Sequence, residues 1–203
     1  RYEVIDTPGM YSMIPITEEE GVTSQLLCRE KADIVLHIID GKNISRMLTM
    51  TLQLMDAGFP VILVVNFMDE AVEYGVVINT QLLAEILGIV VIPTSATKGS
   101  GLDYVRDAIS RYQRPKKKFS MKFSDDIEQG LVKIASKLVG DYGVSSRMVA
   151  LLLVQKDRAI YDLAWCQESM PEILGIIKDV SDCYEYNMEY IIALERQRNV
   201  DGI

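Results

Sequence analysis

VILVVNFMD, residues 61–69, sets five consecutive aliphatic residues directly before Asn66-Phe67-Met68-Asp69. An apolar run of that length without polar alternation predicts a strand covered on both faces, as in a parallel sheet. Runs of the same kind recur at Tyr2–Ile5, Ile34–Ile39 and Ile89–Ile92, all rich in Val and Ile. Helical patterns fall between them. Thr17-Glu18-Glu19-Glu20 has the form of a capping box and predicts a helix reaching about Lys31. Further helices are expected over Asn43–Ala57, Thr80–Leu87 and Gly101–Tyr112, with Gly58 and Gly88 closing two of them. Alternation of strands and helices on this scale means a doubly wound, mostly parallel α/β fold.

Three polar motifs follow three of the apolar runs: Asp6-Thr7-Pro8-Gly9, Asn66-Phe67-Met68-Asp69, and Pro93-Thr94 leading into Ser95-Ala96-Thr97. That placement puts all three at the carboxyl edge of the sheet, where open α/β folds bind ligands. A carboxylate at Asp69 can accept from both N1–H and the 2-amino group of guanine, a donor pair that adenine does not have. A buried acceptor left unpaired costs roughly 1–3 kcal/mol, so one acid can discriminate the bases. Asn66 can reach the base's acceptor edge or tie loops together, and a backbone N–H near Ala96 can donate to O6. Asp6 can hold a magnesium ion directly or through water. Gly9 can present its N–H to a terminal phosphate, and the loop Met10–Ile16 can order or relax with that phosphate. Taken singly, each motif has a plainer reading: Asn66 and Asp69 as a helix cap with a first-turn acid, and Asp6 as a turn former before proline. The fixed order of three motifs behind three buried strands favours the nucleotide reading.

Beyond Arg114-Pro115-Lys116-Lys117-Lys118, read as a solvated linker, the strand pattern stops. Asp125 with Glu128 predicts a capped helix bearing Ile127, Leu131, Ile134 and Leu138 on one face. Helices follow over Ser146–Gln155 and Arg158–Glu168. A long one is expected from Pro171, on the spacing of Leu174, Ile177, Val180, Tyr184, Met188 and Ile191. The division expected is an α/β domain over 1–114 and a small helical bundle over 115–203. A net charge of -8 argues against nucleic-acid binding, which depends on neutralising phosphates. Cys28, Cys166 and Cys183 form no CxxC pair and read as reduced thiols and small hydrophobes. No run approaches the roughly 20 apolar residues of a membrane span.

The motif order resembles that of the TRAFAC-type GTPases, with DTPG, NFMD and Ser95-Ala96-Thr97 in the places of their third, fourth and fifth motifs. DTPGMYS, Glu18-Glu19-Glu20, Ala32-Asp33-Ile34-Val35, Ile39-Asp40-Gly41-Lys42-Asn43-Ile44, Leu52-Gln53-Leu54 and NFMDE narrow the likeness to the ferrous iron transport protein B family. The resemblance implies a P-loop-GTPase-like G domain followed by a helical spacer, on the cytosolic side of a polytopic permease domain of the same protein. It implies GTP/GDP and Mg2+ as ligands and GTP hydrolysis regulating ferrous iron uptake at the inner membrane. By the same token Asp6 takes the magnesium role, Gly9 the terminal-phosphate role, Asn66 and Asp69 the guanine role, and Ser95 to Thr97 the supporting loop; Thr7, Pro8, Phe67 and Met68 complete the motifs. Self-association is left open.

Departures from the pattern carry their own expectations. Phe67 stands where a lysine is usual, and its ring can pack on base or ribose. Met10 replaces a water-orienting glutamine, so hydrolysis is expected to be slow. The sequence contains no GxxxxGK[ST] loop and opens on Arg1 inside an apolar run. It is therefore expected to be part of a longer chain, with the phosphate loop and first switch upstream. Without them, weak turnover or none is expected. His37 reads as a hydrogen-bonded core residue rather than a metal ligand. Asp182, Glu185 and Glu189 read as a solvated acidic stripe on the last helix, so no iron site is assigned. Two other readings stand beside this one: a ribosome-assembly GTPase, disfavoured by the acidic charge, and a scaffold without nucleotide chemistry.

Overall fold

Val61–Asn66 forms β2, the central strand of a three-stranded parallel sheet, with β1 (Val35–Asp40) on one side and β3 (Val90–Pro93) on the other. In this computed structural model residues 2–15, 17–30, 32–115 and 119–203 are described; the triple lysine 116–118 lies outside them. They divide into two compact units, Ala32–Phe123 with Ile192–Ile203, and Arg1–Lys31 with Ser124–Ile191.

The first unit is built around β2, whose five residues Val61–Val65 are all buried, as its uninterrupted apolar run predicts. Ile62 and Val64 share a cluster with Ile92 of β3, against which Val105, Ala108 and Ile109 of α5 (Leu102–Ser110) pack. Helix α2 (Ile44–Asp56) crosses from β1 to β2 and packs on both strands. Helices α3 (Met68–Glu73) and α4 (Thr80–Leu87) then lead to β3. Coverage on both faces holds for the central strand only: Leu36 and Ile38 of β1 are 37% and 54% exposed, and Val90 of β3 is 42% exposed. Among the described residues each of those strands pairs with β2 alone.

The expected strand at Tyr2–Ile5 does not form. Among the described residues it has no pairing partner, and Val4 is 86% exposed. An apolar composition cannot make a strand without another strand to take its backbone hydrogen bonds. The Asp6 motif therefore follows no strand, whereas the motifs at Asn66 and Ser95 do lie at the sheet's carboxyl edge.

The last helix, α10 (Met188–Asp201), contributes its later turns to the same unit, with Ile192, Glu195, Arg196 and Val200 buried. Burial lowers the Arg196 pKa to about 10, while Asp56 of α2 partly offsets that effect. Asn199 locks the helix to the chain at Lys122: its Oδ1 accepts from the Lys122 N–H at 3.0 Å and its Nδ2 donates to the Lys122 carbonyl at 2.8 Å.

The second unit begins with α1 (Glu18–Arg29), where the predicted capping box is present: Thr17 Oγ1 accepts from the Glu20 N–H and Glu20 Oε2 from the Thr17 N–H. Helix α6 (Asp125–Lys137) packs on α7 (Ser146–Val154) and α9 (Met170–Ser181), and α7 on α8 (Arg158–Ala164). Ile127, Leu131 and Ile134 are buried, and Arg147 grips Glu128 through two bonds of 2.6 and 2.8 Å. The cap of α6 is Ser124, one residue before the expected Asp125.

The long final helix is two. It stops at Ser181 and restarts at Met188, where Asn187 Oδ1 accepts from the Tyr190 N–H as a new cap. Apolar spacing continues across the break, so periodicity alone reads through it. Asp182 and Glu185 consequently lie between helices rather than on one face with Glu189. Cys166 and Cys183 are exposed and only Cys28 is half-buried, so two of the three cysteines are not core residues. No helix among the described residues is long and apolar enough to cross a membrane.

Candidate functional site

Parallel register brings Asp40 opposite Asn66 and Val65 opposite Pro93, so β1, β2 and β3 release their following loops at one edge. Asn66 connects two of these loops. Its Oδ1 accepts from the Thr94 hydroxyl at 3.0 Å and from the Ala96 N–H at 3.1 Å. Of the two roles open to Asn66, loop tying is the one this geometry displays, and the Ala96 N–H is engaged with it. The Met68 N–H donates to the Thr94 carbonyl at 3.1 Å, and the Asp69 N–H to Ser95 Oγ at 3.1 Å. Four bonds thus fix the end of β2 and the start of α3 to the loop after β3. Ser95 is buried, whereas Ala96 and Thr97 are exposed in the short 3-10 turn that follows. Paired bonds between the backbones of Ser95 and Ser100 close that loop.

Asp69 sits in the first turn of α3 and is ion-paired with Lys98, Nζ to Oδ2 at 2.8 Å. The ammonium of Lys98, followed by the bond with Ser95, holds the Asp69 carboxyl at a pKa of about 2. It is therefore an anion across the physiological range. Its other oxygen, Oδ1, is buried and accepts no hydrogen bond from the described residues. Buried carboxylate oxygens are normally satisfied, so an acceptor of this kind fits an N–H donor supplied from outside the chain.

Phe67 begins α3 in the left-handed region, with φ of 59° and ψ of 34°. Lys42, in the turn after β1, places Nζ 4.9 Å from the centre of the Phe67 ring and pairs with Glu70. Glu70 raises the Lys42 pKa, so that ammonium remains charged. Lys42, Glu70, Thr94 and Lys98 were assigned no role on sequence. Their contacts join different elements, and long side chains meeting across loops leave no local periodicity to read. Lys98 directly follows Ser95-Ala96-Thr97, and nothing in that adjacency shows that it meets Asp69.

The Asp6 motif belongs to the other unit. Asp6, Pro8 and Gly9 are exposed and Thr7 is half-buried. Thr23 of α1 donates to the Pro8 carbonyl at 2.9 Å and Ser24 to the Met13 carbonyl at 3.3 Å, tying this loop to the helix behind it. A Cβ added at Gly9 would meet nothing within 4 Å, so its approach side is clear of protein. His37 is hydrogen-bonded through Nδ1 to Thr51 Oγ1 at 3.0 Å. Among the described residues no group of three or more His, Cys, Asp or Glu is gathered as a metal site.

A parallel sheet releasing Asn-x-x-Asp and Ser-Ala-Thr from adjacent strands, accompanied by a helical bundle, has the G-domain fold of P-loop GTPases. Comparison with known proteins specifies the family. A family model described as ferrous iron transport protein B matches residues 1–109, and one described as the FeoB cytosolic helical domain matches residues 123–203. This chain belongs to the ferrous iron transport protein B family. Among curated relatives, an Fe(2+) transport protein A/Fe(2+) transporter FeoB fusion protein of Porphyromonas gingivalis is 31% identical over 78% of this chain and 20% of its own length. The Fe(2+) transporter FeoB of Escherichia coli is 28% identical over 82% of this chain and 22% of its own. The chain thus spans about a fifth of the length of these relatives. A crystal structure of NFeoB from S. thermophilus bound to GDP.AlF4- and K+ superposes with a TM-score of 0.88 at 28% identity, covering 97% of this chain and 78% of that one.

Proposed function

We propose that this chain is the guanine-nucleotide-binding region of a ferrous iron uptake protein, in which Asp69 reads the guanine base. The observation that carries this reading is the state of the Asp69 carboxylate: ionised, fixed at the sheet's carboxyl edge, with one buried oxygen awaiting a donor. Asn66 binds the loop after β3, and Ser95 of that loop accepts from the Asp69 N–H, which together hold its position. Support comes also from the NFeoB structures solved with GDP.AlF4- and with GMPPNP, to which the fold is similar.

In this assignment Gly9 faces the terminal phosphate and Asp6 serves magnesium. Asp6 is exposed and belongs to no group of three or more His, Cys, Asp or Glu among the described residues, which suits an ion that keeps its waters and takes its other ligands from phosphate. Magnesium bound there would neutralise phosphate charge. Residues 1–114 act as the G domain and 115–203 as its helical regulator, a division supported by the two family models. The intact protein hydrolyses GTP slowly, because Met10 has no group to orient water. On this reading its partner is a permease domain and its place is the cytoplasmic face of the inner membrane, which the relatives described as Fe(2+) transporters support.

The test is base exchange. In the intact protein, Asp69→Asn should weaken mantGDP binding by about 10- to 100-fold, the loss of charged hydrogen bonds, while xanthine nucleotide binding improves. Unaltered affinity for both bases would overturn the assignment.

A further inference from the structure

Phe67 is one of two described non-glycine residues with positive φ, and the only aromatic one. A bulky side chain held in the left-handed region is strained, and such strain persists only where the surroundings impose it. Those surroundings are visible. The Lys42 N–H donates to Asp40 Oδ1 at 2.9 Å, which fixes the turn Gly41–Asn43 directly after β1. From that turn the Lys42 side chain crosses to α3, where Nζ lies over the Phe67 ring and pairs with Glu70, with Asp40 Oδ2 3.8 Å away. Two carboxylates and one ring therefore hold the ammonium. It is in turn the one cation that meets the ring's electron-rich face among the described residues.

Given the nucleotide reading above, on which this step rests, we infer that Lys42 is a positioning residue for guanine-nucleotide binding, acting by clamping Phe67 as the aromatic platform beside the base. Phe67 stands between Asn66, which ties the loops, and Asp69, which offers its carboxylate, so its ring is anchored at the entrance to the base site. An aromatic ring in place of an aliphatic stem gains stacking energy with a purine only if its orientation is fixed in advance. The charge over the ring and the ion pair to Glu70 supply that fixation from the turn after β1. Sequence separates Lys42 from Phe67 by more than twenty residues, and the parallel pairing of β1 with β2 brings them together.

A double-mutant cycle in the intact protein, read by mantGDP affinity and dissociation rate, tests this. Lys42→Met keeps the stem and removes the charge; it should weaken binding about two- to fivefold, the range of a cation–ring contact, and speed release. Lys42→Arg, which retains a cation able to lie on the ring, should stay within about twofold of the parent. Phe67→Leu should also weaken binding, and adding Lys42→Met to it should change nothing further. A parent-like Lys42→Met, a full loss in Lys42→Arg, or an equal effect of Lys42→Met in both backgrounds would overturn the inference. A merely structural lysine would show the last of these. Retention of the Asp69→Asn base switch alongside a null cycle would remove Lys42 and leave the nucleotide reading intact; loss of the switch removes both.

Discussion

His37 sits in β1 with Nδ1 bonded to Thr51 of α2, and burial lowers its pKa to about 4. The neutral ring is therefore favoured by folding. Above pH 6.5 the folded and unfolded states are both neutral and the stabilisation is complete; as pH falls from 6.5 to 4 the unfolded chain binds a proton that the folded chain resists, and stability declines. Allowing for the ring's partial exposure, the loss is about 1–3 kcal/mol. Thermal denaturation midpoints across that interval should fall more steeply for the parent than for His37→Gln; equal slopes would show that the ring is not the titrating group. Asp69 behaves oppositely. With Lys98 holding it at about 2, it stays ionised throughout the same interval. Asn66 and Asp69 were legible because a buried strand points at them. Lys98 and Lys42 were not, since the acid that Lys98 meets and the ring that Lys42 covers lie on other elements.

Between elements of the helical bundle, Gly130 lets α6 approach α9 closely. A Cβ there would fall 2.4 Å from Val180 Cγ2 of α9. Alanine would gain about 1 kcal/mol of helix propensity but would overpack the contact by about 1–3 kcal/mol. Gly130→Ala should therefore lower the urea midpoint, and Val180→Ala in the same chain should recover part of it because the clashing methyl is gone. A midpoint raised by Gly130→Ala would mean that the two helices part without cost. Most helices could be read from spacing and caps: Thr80–Leu87 is found at its expected bounds, and Thr17 with Glu20 forms the box its spacing promised. Two failures lie outside what a local apolar pattern can report: Tyr2–Ile5 has no strand to pair with among the described residues, and the break at Asp182–Asn187 carries a new cap. The same pattern overstated burial in β1 and β3, in which Leu36, Ile38 and Val90 are exposed.

For the whole molecule, the order of motifs named the fold class, yet how nucleotide state is transmitted depends on contacts that no motif contains. Within the unit that carries Asp6, the loop around Gly9 is bound to α1 by Thr23 at Pro8 and by Ser24 at Met13, and α1 ends against the segment following α6. There Gly143, at φ of +74°, lies so near Cys28 that an added Cβ would come within 1.7 Å of its carbonyl oxygen. Only glycine fits, in space and in backbone conformation. A displacement of the Gly9 loop by phosphate would draw on Thr23, move α1, and press Cys28 against Gly143. Hydrogen exchange of the intact protein should accordingly differ between GDP and a GTP analogue both across residues 10–31 and around residues 140–145. Gly143→Ala, by forcing the two segments apart, should leave a difference in the first stretch and abolish it in the second. Identical protection with both nucleotides across 10–31 would rule out this route, and an unchanged response at 140–145 in Gly143→Ala would show that the contact with Cys28 transmits nothing.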